Sequence, residues 1–255
     1  MKISAVVLTF NSEKKIATAL KSLSFVDEIV VVDSGSTDNT VPIAKEFGAK
    51  VFFHPWNGYK EQKKFGIQQT SHDWVFVLDS DEEVSEGLIL WIMEFKKHPP
   101  NIQGVSVKRT MVFDGEIINV IWRNEYRIRL FNKSFVELVG QEPHEKITVR
   151  GSTLKVGNEI YHYSYDGFKD QVQKLVKHAV CFSESVDKRD VKLLVIKMLV
   201  SPLARFLKTY VLNFGFLIGL KGFVLCMNEA FYSFLKYALA LERHVLSNRK
   251  SNIRG

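Results

Sequence analysis

Through the first hundred residues, short apolar runs alternate with segments of helical periodicity. Residues 3–9 (I-S-A-V-V-L-T), 28–33 (E-I-V-V-V-D), 50–54 and 74–78 (W-V-F-V-L) are rich in β-branched and aromatic side chains and bounded by polar turns, the pattern of buried strands. Between and after them, residues 12–23, 40–47, 59–70 and 85–97 carry helical spacing. Ser12 can cap the first of these helices, and Pro42 sits in the first turn of the second, where a missing N–H costs little. Strand–helix repeats of this length predict an α/β fold with a mostly parallel sheet and helices on both faces. From residue 102 to 156 the runs shorten (105–108, 127–131, 146–149) and read as strands, partly antiparallel, that close the same domain. A helix is expected over 168–185.

Beyond residue 190 the pattern changes. Apolar residues recur at helical spacing (Leu203, Phe206, Leu207, Tyr210, Val211, Phe214), and a second stripe runs from Met227 through Phe231 and Phe234 to Leu241. Residues 192–255 hold ten Lys and Arg against two acids, whereas the remaining 191 residues hold 25 basic and 26 acidic side chains. The net charge of +7 therefore belongs to the tail. This divides the chain into a domain over 1–190 and a basic amphipathic helical tail over 191–255. A region that is both basic and apolar suits an anionic membrane surface and not nucleic acid. The alternative is a pair of helices packed on the body or on a partner subunit. Its longest uncharged run, residues 209–220, has 12 residues and is too short to span a bilayer.

With 46% apolar and 25% charged residues in 255, disordered and low-complexity classes drop out. Cys181 and Cys226 lie far apart without a C-x-x-C, which argues against a disulfide scaffold or a thiolate zinc site and for a reducing compartment. The N-terminal apolar run is too short for a signal-peptide core. The expected location is the cytosol, peripheral on the inner face of the cytoplasmic membrane.

Ligands of open parallel sheets bind beyond the carboxyl ends of the strands. Three polar clusters fall there: Thr9 to Glu13, Asp33 to Asp38 (with Ser34 in it) and Asp79 to Glu83. Asp79 and Asp81 form a D-x-D, whose side chains point the same way on an extended chain. Carboxylates that close call for a hard cation, and magnesium or manganese held by one or two carboxylates plus substrate phosphates fits. Read alone, the acids could instead cap the helix that begins near Ser85. There is no G-x-x-x-x-G-K-[ST] and no G-x-G-x-x-G. An aspartyl phosphatase would carry Thr or Val where Glu83 stands, and Thr148 occupies the place of the second His of a zinc protease after His144-Glu145.

The segments V-V-L-T-F-N-S-E, V-V-D-S-G-S-T-D-N-T and V-L-D-S-D-E-E-V, in that order, resemble the family 2 glycosyltransferases, which have the Rossmann-like GT-A fold and use nucleotide sugars. W-N-G-Y-x-x-Q, R-x-R-L-F and a P-x-H-E-like segment are similar to the bacterial branch that builds lipopolysaccharide core, β-1,4-glucosyltransferases among them. The resemblance implies that Thr9 and Asn11 line a nucleotide pocket and that Asp33 accepts a hydrogen bond from the base, usually uracil. Asp79 would approach the ribose or metal, and Asp81 would bind the metal at the diphosphate. Family 2 enzymes invert the anomeric centre and need a base. Glu145 matches the H-E position of this branch, with Glu142 second and a plain surface acid the alternative. The acidic E-D pair that usually supplies the base is absent.

Arg127 and Arg129 alternate with apolar residues on one strand face and suit a diphosphate clamp, although a solvated face would look the same. Gln62 and Lys64, on the helix before the D-x-D strand, could reach the donor. Trp56 and Trp122 are candidates for sugar stacking, and His144 and His162 for acceptor contacts. The expected activity is an inverting, metal-dependent transfer of a hexose, glucose first, from a UDP-sugar to a lipid-linked saccharide, lipopolysaccharide inner core foremost. The alternatives are a polyprenyl phosphate or capsule or exopolysaccharide acceptor, or a nucleotide-sugar-binding protein without turnover. Oligomeric state is not written in the sequence.

Overall fold

The computed structural model describes residues 1–123, 125–140, 145–186 and 191–253, with side chains described through residue 245 apart from Ser185. Four strands, β1 (Ile3–Thr9), β2 (Glu28–Asp33), β3 (Lys50–Phe53) and β4 (Trp74–Asp79), pair in parallel in the order β3-β2-β1-β4. Between and after them come α1 (Ile16–Lys21), α2 (Thr40–Glu46), α3 (Tyr59–Gln68) and, past the short β5 (Glu82–Val84), α4 (Glu86–Lys97). The chain then adds β6 (Gly104–Phe113), β7 (Glu116–Ile118), β8 (Tyr126–Asn132), β9 (Val136–Val139), β10 (Lys146–Val149) and β11 (Thr153–Tyr165). Beyond β4 the sheet continues β8-β6-β11-β5, antiparallel at the β4–β8, β8–β6 and β11–β5 pairings. The sheet is thus mixed: parallel across β3-β2-β1-β4 and antiparallel at those three later pairings. β9 and β10 pair antiparallel with each other as a separate ribbon.

β1 is buried on both sides along its whole length, which explains its continuous apolar run. Ile3, Ala5 and Val7 face a core with Ile16 and Leu20 of α1 and Leu88 and Ile92 of α4. Val6 and Leu8 face the opposite core with Val30, Val32 and Ile67 of α3. Helices cover both faces, as the sequence predicts. On the second face α3 lies very close to the sheet: a Cβ on Gly66 would come within 2.5 Å of Val6 Cγ1. Only glycine permits that approach, and it presses the preceding turn, with Gln62 and Lys63, into the buried layer.

Chain contacts group residues 1–111 with 124–163, and 112–123 with 164–255. The second group holds α5 (Phe168–Ser185), α6 (Val191–Leu207) and α7 (Gly219–Ile253), with a π-helical turn at Lys208–Leu212 and a 3-10 turn at Gly215–Ile218 between the last two. The helix at 168–185 therefore packs with the tail, while the sequence places a boundary near residue 190. Among the described residues no single helix is long and apolar enough to cross a membrane. The pair Val191–Leu212 and Gly215–Val245, bent by 72°, meets that requirement of length and composition only when taken together.

The amino-terminal end of the parallel strands is closed by Glu28. Its carboxylate accepts hydrogen bonds from Ser4 Oγ (2.5 Å) and from the N–H and Oγ of Ser71 (both 2.7 Å), and pairs with Lys50 Nζ at 2.7 Å. Burial raises the carboxyl's pKa, but Lys50, Ser4 and Ser71 together outweigh it and bring the value down to about 2. A depressed carboxylate stabilises the fold fully above its unfolded value of about 4.5, and the contribution is lost as pH falls towards 2. Discounted for the exposed Lys50, Glu28→Gln should cost about 1–3 kcal/mol at neutral pH. Urea unfolding of both proteins across that acid window should show the difference shrink as the pH drops.

Candidate active site

Strand register gathers the polar clusters on one edge. Thr9 lies opposite Asp33, and Leu8 opposite Asp79, so the tips of β1, β2 and β4 end together. Backbone bonds carry the chain across that edge: Ser34 N–H donates to Thr9 O (3.1 Å), Ser80 N–H to Leu8 O (3.3 Å) and His54 N–H to Asp33 O (2.9 Å). Asp33, Asp79 and Asp81 therefore belong to one side of the sheet.

The first two clusters are zipped to each other. Asn11, in the left-handed region at φ 46°, accepts from Thr37 N–H at its Oδ1 (2.9 Å), while its own N–H donates to Ser36 Oγ (2.8 Å). The Asp33 carboxylate is buried and holds its own turn, accepting from the N–H groups of Gly35 and Ser36 (both 2.9 Å) and from Ser36 Oγ. Ser12 Oγ and Ser80 Oγ, 2.9 Å apart, link the first cluster to the third. The Thr9 hydroxyl is buried with no hydrogen-bond partner, at the place where these turns meet.

The third cluster rests on Glu82, which is fully buried. One of its carboxylate oxygens receives Arg129 Nη2 and Arg109 Nε (2.6 Å), and the other accepts from Asp79 N–H at 3.1 Å. Arg129 also reaches Asp79 Oδ2 at 3.3 Å, and its Nε has no partner. Burial pushes the Asp79 carboxyl up, but the charges of Arg129, then Lys63 and Arg109, overcome this and hold it well below the usual range. Asp81 is opposed by burial and by Asp79, yet His162, whose Nε2 is 3.4 Å from Asp81 Oδ2, keeps it below the usual range. Beside them the Tyr163 N–H donates to Asp81 O (2.9 Å) and its hydroxyl donates to Glu83. Burial and Glu83 raise that phenol to about 12, so it stays a neutral donor.

Arg127 and Arg129 do not follow the simple alternation the sequence suggests: Val105 and Ser106 of β6 pair with Leu130 and Ile128, a register slip at Arg129, and Ile128 and Leu130 pack into opposite cores. Arg129 is buried against acids, while Arg127 is exposed and pairs with Glu125 at 2.7 Å. On α3 the buried stripe is Gln62, Lys63, Gly66 and Ile67, and Lys64 falls off it into solvent beside Glu61. Gln62 donates to Ser34 Oγ (3.2 Å) and to the carbonyls of His54 (3.0 Å) and Pro55 (2.9 Å). Lys63 Nζ meets Glu145 Oε1 at 2.5 Å in a buried ion pair, and Glu145 Oε2 has no partner. Glu142 and His144 lie outside the described residues. Trp56 is exposed and packs edge-on against Tyr59, while the Trp122 indole donates to Glu229 (3.3 Å) within the helical unit.

Lys63, Glu82, Arg109 and Glu125 were not singled out from the sequence. Lys63 was signalled by lying one residue along the same i, i+3, i+4 stripe as Gln62. Glu82 directly follows the D-x-D, but nothing in the one-dimensional pattern ties it to Arg109 on β6. Among the described residues no three His, Cys, Asp or Glu side chains converge on a point that could hold a metal. Among those residues no ligand set for a closed zinc cage is present. Two neighbouring carboxylates do fit magnesium or manganese, which complete their shells with phosphate oxygens and water.

Residues 4–153 match the family described as glycosyl transferase family 2. This chain is a family 2 glycosyltransferase. An uncharacterized glycosyltransferase of Rickettsia typhi is 31% identical to it, over 99% of this chain and 90% of the relative. The lipopolysaccharide core biosynthesis glycosyltransferase LpsC of Rhizobium meliloti is 29% identical, over 98% of this chain and 95% of its own. Among solved structures, glucosyl-3-phosphoglycerate synthase of Mycobacterium tuberculosis, in complex with Mn2+, UDP-glucose and phosphoglyceric acid, is 31% identical with a TM-score of 0.37, over 43% of this chain and 44% of that one.

In the transferase, Glu82→Gln would leave Arg129 and Arg109 facing a neutral amide in a buried site. Removing one partner of a buried ion pair costs about 3–5 kcal/mol. Urea unfolding should show a loss of that order.

Proposed function

We propose that this transferase moves a hexose, glucose first, from a UDP-sugar to a lipid-linked saccharide of the lipopolysaccharide inner core, at the cytoplasmic face of the membrane. The observation that carries the reading is the likeness to LpsC, which runs through 98% of this chain and so includes the tail.

In this reading the nucleotide side of the donor meets Thr9, Asn11, Asp33 and Ser34, with Gln62 holding Ser34 in place. The Thr9 hydroxyl, buried and unpartnered, supplies a hydrogen bond that the folded chain leaves unspent. Asp79 and Asp81 would hold magnesium or manganese, which when bound offsets the charge gathering on the departing diphosphate. Arg127, exposed on β8 and paired with Glu125, would meet a phosphate oxygen.

An acceptor hydroxyl oxygen forms the new bond to the anomeric carbon as the carbon–oxygen bond to the diphosphate breaks on the opposite side, so the centre inverts. The hydroxyl proton goes to a carboxylate. Glu145 suits this task, since Lys63 fixes one oxygen and leaves the other free to take a proton. Glu142 is the alternative base, and His144 and His162 are the acceptor contacts, His162 also steadying Asp81.

Ligand binding to the native state must raise its stability, by about 2.7 kcal/mol at a hundredfold excess over Kd. Thermal melts with UDP and UDP-glucose should therefore shift upward in the presence of manganese, while guanosine and thymidine diphosphates should not act, and Asp81→Asn should remove the metal-dependent part. Glu145→Gln should lower kcat by roughly a hundredfold or more with donor binding intact. Full turnover in that variant would eliminate Glu145 as the base, and transfer to polyprenyl phosphate in place of core saccharide would move the enzyme to another acceptor.

A further inference from the structure

The bend between α6 and α7 exposes a concentration of large apolar side chains. Leu207, Leu212, Phe214, Phe216, Leu217 and Leu220 are between 42% and 79% exposed, Leu220 the most. The flanks carry lysines: Lys208 precedes the uncharged run 209–220 and Lys221 follows it, Lys221 pairing with Glu116 at 2.7 Å, and the chain itself holds no Asp or Glu from residue 191 to 228. An apolar tip with cations at both ends matches hydrocarbon below a layer of anionic headgroups.

The bend is also built to lose water. Non-helical backbone enters lipid only where its polar groups are already satisfied. Here Asn213 N–H donates to Lys208 O (2.8 Å), Phe214 N–H to Val211 O (3.2 Å) and Leu217 N–H to Phe214 O (3.0 Å). Asn213 exchanges two further bonds with Ile121: its Nδ2 donates to Ile121 O (2.6 Å) and its O accepts from Ile121 N–H (3.1 Å). The shape is fixed by close packing: a Cβ on Gly215 would stand 2.6 Å from Cys226 Sγ, and one on Gly222 would stand 1.9 Å from Gly215 O.

We propose that this bend is a preformed wedge that enters one leaflet of an anionic bilayer, stopped at headgroup depth by Lys208 and Lys221. The 12 uncharged residues between those lysines are too few to cross, so the wedge anchors without spanning. The inference deepens the reading of a membrane-borne acceptor and gives it a specific contact; its geometry stands without the donor chemistry.

The test uses the full chain, without sugar nucleotide, on phosphatidylcholine vesicles with and without phosphatidylglycerol. Wild type should co-sediment with the anionic vesicles, and Leu212→Ser/Leu217→Ser/Leu220→Ser should partition roughly tenfold or more weakly, since each change withdraws apolar surface from hydrocarbon. These side chains are exposed, so the variant should keep the wild-type melting temperature and any UDP-induced shift. Leu217→Trp should gain fluorescence quenching by lipids brominated on the acyl chain, over and above that of wild type, and Lys208→Gln should weaken the preference for phosphatidylglycerol. Equal partitioning of the triple variant and wild type would overturn the proposal. So would lipid-free dimerisation that the triple variant abolishes, with no vesicle binding by wild type, because the patch would then be covered by a second copy. Vesicle binding without any UDP shift would leave the wedge standing and remove the donor reading alone.

Discussion

Like charges at the ends of neighbouring strands can be gathered only if something opposes them, and in this chain the opposition is Glu82 with its two arginines. The arrangement looks backward at first, because a third acid is added beneath two others. Glu82 is the group that brings Arg129 and Arg109 into the layer under the D-x-D, and Arg129 then reaches Asp79 as well. Buried charges are tolerated when each has a hydrogen-bonded counterpart. The result keeps Asp79 ionised despite its surroundings, which is the state in which a carboxylate can meet a cation or a ribose hydroxyl. The same glutamate also accepts the Asp79 N–H, so charge balance and loop conformation are set by one side chain.

A second constraint acts through α3. Gly66 allows the helix to sit against Val6 and Val32 more closely than any side chain would allow. One turn earlier, that closeness pushes Gln62 onto Ser34 and His54, and Lys63 onto Glu145. Backbone proximity at an apolar contact thus fixes the positions of polar groups at the strand tips. Of the four buried side-chain atoms without a partner among the described residues, Thr9 Oγ1, Arg129 Nε and Glu145 Oε2 occur in this layer, and the fourth, Gln171 Nε2, lies in α5. A buried polar atom without a partner costs free energy in the folded chain, and a site that binds a polar substrate recovers that cost on binding.

Much of this was legible in one dimension. The parallel strands announce themselves because burial on both faces demands continuous apolar runs, and the three clusters follow because a parallel strand must end where its neighbours end. Simple alternation puts Arg127 and Arg129 on one face of β8, but the register slip against β6 at Arg129 breaks it, and alternation says nothing about what lies across the sheet. Arg129 is spent on Glu82 and Asp79, a pairing between β8 and the β4–β5 turn that only the sheet order creates. The sequence names Gln62 and Lys64 on this helix, and the structure puts Lys64 in solvent and Lys63, one turn before Ile67, in the buried layer. Local periodicity, applied to polar residues as strictly as to apolar ones, points to Lys63 as well. The grouping of 168–185 with the tail was not legible, because it depends on packing between α5 and α7 that leaves no periodic trace distinct from any other amphipathic helix.

The tail shows why the apolar pattern alone was ambiguous. A stripe of leucines and phenylalanines at helical spacing is written identically for a helix that packs on protein and one that meets lipid. The structure shows which of these side chains find cover. Leu225, Cys226 and Ala230 of α7 are buried within the helical unit, as a packed helix requires, whereas Leu199 and Leu203 of α6 and Leu212, Leu217 and Leu220 at the bend remain among the most exposed apolar side chains of the described residues. A connection that served only to turn the chain between two helices would gain solubility from polar residues, since exposed turns favour them. This one instead pairs the N–H groups of Asn213, Phe214 and Leu217 within the chain, fixes its curvature with two glycines that admit no side chain, and carries its own charge only on lysines at either end. Those features leave the free chain with exposed apolar surface, a cost that burial against an apolar surface would offset.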